Sequence, residues 1–158
     1  MITSLLALAV FVTLSFLASA SGAFFRPGEW YYEKIRKPSW NPPSWLFPPV
    51  WTILYIMMSV AAWLVWRETG VSGGIVPLGL FVLQLGLNAL WSYLFFGREN
   101  IRAAFWESLL LFAAVFAMMV AFWDARTLAG LLVVPYVLWV GFAAFLTYTI
   151  WRLNPDPR

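Results

Sequence analysis

The chain has 158 residues, of which 63% are hydrophobic and only 11% charged, with a net charge of +3 and a mean hydropathy of +0.80. A water-soluble surface cannot be built from that composition, so the class is integral membrane. With no Cys and no His, disulfides, thiolate nucleophiles, imidazole general bases and His- or Cys-based metal sites are excluded.

A bilayer core of about 30 Å needs roughly 20 apolar residues per helical crossing. Five such runs predict helices near 5–25, 47–66, 75–96, 103–123 and 128–151. Continuous apolar runs, rather than alternation over strand-length segments, favour helices over a barrel. The expectation is a single all-α domain, a five-transmembrane-helix bundle, with one long loop over 26–46. Ala18-Ser19-Ala20 looks like a signal-peptidase site, but no Lys or Arg precedes the first run. We therefore read it as a retained membrane helix.

The loop leads into the second run through Lys37 to Tyr55, KPSWNPPSWLFPPVWTILY, which carries five prolines and three tryptophans. Pro42-Pro43 and Pro48-Pro49 hold this approach extended and stiff up to the first helical turn. Trp40, Trp45 and Trp51 are thereby presented at or just below the lipid boundary. Indole suits either an interfacial belt or a cavity for a flat conjugated ligand.

On the second helix Trp51, Tyr55 and Ser59 form an i, i+4 row. On the third, Gln84, Asn88 and Trp91 share a face. Gln84 reads equally as interhelical glue, whereas Asn88 favours a cavity lining. On the fifth, Tyr136, Trp139 and Ala143 share a face just after Pro135, which frees the carbonyl of Leu131. Three faces that mix aromatics with amide or hydroxyl groups point to a shared pocket. Glu107 is the one carboxylate well inside a run. Such an acid is a functional candidate, but a structural role, reaching the interface or pairing with Arg102 or Arg98, is the plainer reading. Ala113, Ala117 and Ala121 form a small-residue seam, and Gly79 with Gly86 a flat strip; each suits an internal helix contact or a dimer face. Leu146, Tyr148 and Arg152 fit a proposed cholesterol-contact pattern, which is also what an interfacial anchor looks like.

Charge orients the bundle. Arg26, Lys34, Arg36, Lys37, Arg98, Arg102, Arg152 and Arg158 fall on one side, and Arg67 and Arg126 on the other. Cytoplasmic loops carry the basic excess, so the N-terminus is expected outside, with the lid loop and C-terminus cytoplasmic. The scattered juxtamembrane cations suit anionic lipid headgroups rather than nucleic acid.

The run Tyr31-Tyr32-Glu33-Lys34-Ile35-Arg36-Lys37-Pro38, then Trp40-x-Pro42-Pro43-x-Trp45 and Pro49-Val50-Trp51-Thr52-x-x-Tyr55, resembles the hallmark of the TspO/MBR family of tryptophan-rich sensory and translocator proteins. Gln84-Leu85-x-Leu87-Asn88-x-x-Trp91, Pro135-Tyr136-x-x-Trp139 and the tail around Tyr148 and Arg152 match as well. A bacterial cell membrane, inner or outer, is the expected location. The resemblance implies a five-helix bundle, often a homodimer. It also implies a cavity open toward the first loop that binds porphyrins such as protoporphyrin IX and, in some members, sterols and benzodiazepine-type ligands. No obligatory cofactor or metal is implied. Carried over by position, the cavity residues are Tyr32, Pro42, Trp51, Asn88, Trp139 and Ala143, with Ser108 at the edge; the faces above add Tyr55 and Trp91. In some bacterial members, tryptophans in the places of Trp51 and Trp139 are linked to light-dependent porphyrin breakdown. Three functions therefore compete: a tetrapyrrole sensor or carrier, which is favoured, a light-dependent catalyst, and a structural protein whose aromatic lid docks a partner.

Overall fold

The apolar runs form five long helices in the computed structural model, which describes residues 2–155: α1 Ile2–Phe24, α2 Phe47–Gly73, α3 Ile75–Ser92, α4 Ile101–Ala125 and α5 Thr127–Leu153. Each is long and apolar enough to cross a membrane. Arg158, counted with the basic residues above, lies outside the described residues. The most extensive packing is between α4 and α5; α3 packs on α4 and α1, and α2 on α5 and α1.

Local chemistry sets the helix ends. Pro48 and Pro49 open α2, where amide donors have no partner to lose. Asn100 caps α4, its side-chain oxygen accepting from Ala103 N–H at 2.9 Å. Two ends differ from the sequence expectation. Helix α2 continues beyond Trp66 to Gly73 but is interrupted at Gly70, whose φ of 65° is open to glycine and strained for other residues. The α-helical part of α3 stops at Ser92 rather than Phe96, and a π-helical turn, Tyr93–Gly97, follows. That wider turn is closed by Arg98 N–H donating to Tyr93 O at 2.8 Å. Tertiary packing accompanies it, because the Phe25 ring lies so close to Gly97 that a Cβ there would meet it at 2.8 Å.

The loop between α1 and α2 is also more structured than an extended strap. Trp30–Lys34 forms a second π-helical turn. Pro43 is extended, with φ −63° and ψ 143°, and a single 3-10 turn, Ser44–Leu46, then enters α2. This loop, the α3–α4 connection and the end of α5 share one end of the bundle, since Tyr31 packs on Phe95 and Phe96 and Asn154 bonds to Arg36. At the other end Arg126 pairs with Glu68 at 2.7 Å, and the Trp63 indole donates to Ser4 O at 2.9 Å.

Two apolar clusters result. The larger fills the bundle around Met58, Val65, Phe81, Met118, Phe122 and Val133, all fully buried. The smaller lies beneath the loop and joins Tyr31 and Ile35 to Phe95, Ile101, Leu146 and Ile150. The small-residue features face away from both. A Cβ at Gly79 or Gly86 would meet nothing within 4 Å, and Ala113 and Ala117 are exposed, so neither strip is an internal helix contact.

Candidate functional site

A cavity of about 510 Å3 opens at the loop end of the bundle, in the range of ligand sites. Its walls are Trp51 and Tyr55 from α2, Asn88 and Trp91 from α3, Ser108 and Leu111 from α4, and Trp139 and Ala143 from α5. Tyr31 and Tyr32 of the loop's π-helical turn lie over it, and Leu146 and Ile150 continue the wall toward the second cluster.

The aromatic wall is continuous. Trp51 stacks on Tyr55, with centroids 5.5 Å apart, and meets Trp139 edge-on at 6.5 Å. Trp139 in turn packs against Phe47 and Phe142. On the facing side Trp91 stacks on Phe95 at 4.9 Å. The i, i+4 spacing of Trp51 and Tyr55 creates the first contact, and the i, i+3 spacing of Tyr136 and Trp139 sets the fifth-helix face.

Beneath the rings a buried polar chain ties three helices together. Tyr55 hydroxyl donates to Asn88 Oδ1 at 2.9 Å, Asn88 Nδ2 donates to the Tyr136 oxygen at 3.2 Å, and Tyr136 hydroxyl donates to Gln84 Oε1 at 2.7 Å. Gln84 Nε2 reaches Met58 Sδ at 3.4 Å. Gln84 therefore serves as interhelical glue, while Asn88 both bonds across helices and lines the cavity. Each group in the chain has a partner, which removes the cost of burying it.

Of the residues expected from sequence, Tyr32, Trp51, Tyr55, Asn88, Trp91, Ser108, Trp139, Ala143 and Leu146 line the cavity. Pro42 does not; it stays half-buried within the loop. Tyr148 and Arg152 point away, Tyr148 packing on Phe105 at 5.3 Å. Helical geometry separates them from Leu146: at about 100° per residue Tyr148, two positions on, lies on nearly the opposite face, and Arg152, six on, lies about 120° away. Ser59, placed in a row with Trp51 and Tyr55, turns instead to α1 and donates to Ser15 Oγ at 2.8 Å. Glu107 does not reach the interface or pair with Arg98 or Arg102. It is 7% exposed, and both carboxylate oxygens lack a partner among the described residues.

Sequence reasoning missed the contribution of α1. Ser19, Ser21, Gly22 and Ala23 border the cavity, and the signal for it was the small-residue run read only as a cleavage-site look-alike. It also left Tyr31 out of the cavity, although that residue both lines it and is buried within the second cluster. Burial pushes the Tyr31 hydroxyl pKa up, and burial likewise lowers that of Lys37. Lys37 Nζ is turned onto the loop itself, donating to the carbonyls of Tyr31 and Tyr32 and standing 4.5 Å from the Tyr31 ring centroid.

The chain is 42% identical over 159 residues to protein CrtK of Rhodobacter capsulatus, covering 98% of this chain and 97% of the relative. It is 44% identical to the tryptophan-rich protein TspO of Chlorobaculum tepidum, over 96% of this chain and 98% of that one. The human translocator protein is 40% identical over 126 residues, which are 78% of this chain and 75% of the human protein. The model of the TspO/MBR family matches residues 7–152. A five-helix membrane bundle with an aromatic cleft under a proline-tryptophan loop, matched to that model over nearly its whole length, belongs to the TspO/MBR family.

Proposed function

We propose that the protein is a membrane receptor for porphyrins such as protoporphyrin IX, acting as a sensor or carrier in tetrapyrrole traffic. The observation that carries this reading is the cavity of about 510 Å3 in which indoles from α2, α3 and α5 converge. A tetrapyrrole is a flat apolar plate with two carboxylates. Stacking on indole and phenol rings encloses the plate, each aromatic contact contributing about 0.5–1.5 kcal/mol beyond area burial. The carboxylates would lie at the loop end, near Arg36 or near Lys37, whose ammonium would then leave the Tyr31 and Tyr32 carbonyls it now holds. Sterols and benzodiazepine-type ligands are apolar enough for the same cleft. The names of the relatives, a tryptophan-rich sensory protein among them and a translocator protein, support a receptor or sensory role.

Titrating protoporphyrin IX into the detergent-purified protein while following Trp fluorescence tests the reading. Saturable quenching is expected; quenching that rises linearly, as for a free tryptophan derivative dissolved in the same micelles, would remove the receptor function. By the basic excess at the loop end we further propose a cytoplasmic lid loop and C-terminus, in a bacterial cell membrane with anionic lipids as neighbours. The open glycine strip on α3 leaves room for a second copy, so the proposal includes a homodimer, checked by cross-linking from Gly79→Cys in the otherwise cysteine-free chain.

A second reading, light-dependent porphyrin breakdown, draws on the direct contact of Trp51 with Trp139 at the cavity wall. A ring bound there would have both indoles within reach as electron donors to its excited state, with dioxygen consumed as the oxidant. Bleaching of bound protoporphyrin IX at the rate seen for free porphyrin in detergent would exclude it.

A further inference from the structure

The loop over the cavity holds itself together and holds the bundle by different means. Internally it uses backbone turns, such as Ile35 N–H to Trp30 O at 3.1 Å, and the Lys37 ammonium on the Tyr31 and Tyr32 carbonyls. Toward the helices its contacts are apolar: Tyr31 and Ile35 sink into the second cluster, and Trp40 stacks on Phe145 at 5.5 Å. Such contacts give adhesion but little registration. Among the described residues, the hydrogen bonds joining the loop to any helix other than its sequence neighbours α1 and α2 all involve one side chain, Asn154.

Asn154 sits at the C-terminal end of α5, with φ −130° and ψ 69°. Its Oδ1 accepts from Arg36 N–H at 2.9 Å. Its Nδ2 donates to Arg36 O at 2.8 Å and to Ile150 O at 2.8 Å. The Asn154 backbone N–H donates to Ile150 O and Trp151 O, both at 3.1 Å. The acceptor and both donors of the amide are thus in use, which only Asn or a longer Gln offers among neutral side chains. The pairing is directional, and it grips the Arg36 backbone, not its guanidinium. Arg36 lies between Ile35, buried beneath the loop, and Lys37, which holds the carbonyls of the cavity's two roof tyrosines. Ile150, the residue Asn154 grips on α5, is itself in the cavity wall. One side chain therefore links roof to wall.

We propose that Asn154 is a clasp that sets how often the lid loop lifts, making it a positioning residue for entry to and exit from the cavity. Tyr31 and Tyr32 line the cavity from the loop, so a porphyrin-sized plate that enters beneath the loop displaces one of them, and by that route opening the clasp precedes exchange. The kinetic part of this inference rests on the receptor reading above; the mechanical part does not.

The experiment has two arms on the full-length protein in detergent. In the first, without ligand, hydrogen–deuterium exchange is followed over 30–40 for wild type, Asn154→Ala, Asn154→Asp and Arg36→Ala. Two modest hydrogen bonds set the scale, so Asn154→Ala should speed exchange at Arg36 by about tenfold or more while the Val65 and Phe81 amides stay protected. Asn154→Asp keeps the acceptor and should fall between. Arg36→Ala removes only the side chain and should match wild type. In the second arm, stopped-flow with protoporphyrin IX should show association and dissociation both faster in Asn154→Ala, with Kd changed by less than about twofold. Unchanged exchange at Arg36 in Asn154→Ala overturns the clasp, as does equal loosening in Arg36→Ala. Absence of saturable porphyrin binding in wild type would sink the receptor reading alone, leaving the exchange arm to decide the clasp.

Discussion

The indoles of Trp51 on α2 and Trp139 on α5 meet edge to face, their ring centroids 6.5 Å apart and their planes at 88°. Two helices distant in sequence thus share one wall of the cavity. Residues in contact couple energetically, whereas well-separated ones add. We expect Trp51→Leu and Trp139→Leu each to weaken protoporphyrin IX binding by about 2- to 12-fold, the equivalent of one aromatic contact. The double variant should depart from additivity. A double-mutant cycle of Kd values checks this; strict additivity would mean that the rings do not act as one surface.

Asn88 is the centre of the buried polar chain, accepting from Tyr55 and donating to Tyr136. Replacing it with Leu orphans the Tyr55 hydroxyl and removes one partner of Tyr136. Asn88→Leu should lower stability by about 1–3 kcal/mol, read as a fall in thermal midpoint in detergent. Tyr136 keeps Gln84 as acceptor, so the bundle should remain folded.

Glu107 runs the other way. Its carboxylate is buried with neither oxygen partnered, which is costly wherever water is absent. Glu107→Leu should therefore raise stability by about 1–3 kcal/mol. Glu107→Gln should gain less, because an amide there is still unpaired. A lower thermal midpoint in Glu107→Leu would point to a partner that the carboxylate finds in the membrane.

Two glycines test packing against propensity. A Cβ at Gly130 would meet the Trp123 Cβ at 2.7 Å and its Cα at 2.8 Å. Gly130→Ala must push α4 and α5 apart at their turn, and should cost about 1–3 kcal/mol. At Gly86 nothing of the same chain stands within 4 Å, so in monomeric protein Gly86→Ala should instead gain about 0.5–1 kcal/mol from helix propensity. Thermal unfolding of the two variants side by side separates the effects by sign.

The helices were legible because a membrane crossing needs only length and apolarity, and both are local. So were the site faces on α2, α3 and α5, where ring and amide residues repeat at helical spacing. The parts that escaped depend on partners remote in sequence. The π-helical turn at Tyr93–Gly97 goes with Phe25 lying against Gly97, and no pattern within 93–97 announces it. Ser59 sits in register with Trp51 and Tyr55 but is claimed by Ser15 of α1. Helix α1 itself lacks aromatic residues where it borders the cavity, so its role rests on smallness, which reads as filler until a neighbour is seen. Glu107 was expected to find an arginine one turn away, and only the packed bundle shows that its side chain faces inward.

The two separate apolar clusters give the molecule an upper and a lower storey with a void between them. Apolar side chains from both storeys border that void: Tyr31, Phe95 and Ile150 from above, Tyr55, Leu111 and Val140 from below. An occupant of the void would act as mortar. Empty, the loop part of the upper storey is held to the helices by its own side chains and the Asn154 pairing, and heating should loosen it before the lower storey; filled, both should give way together in a single sharper step.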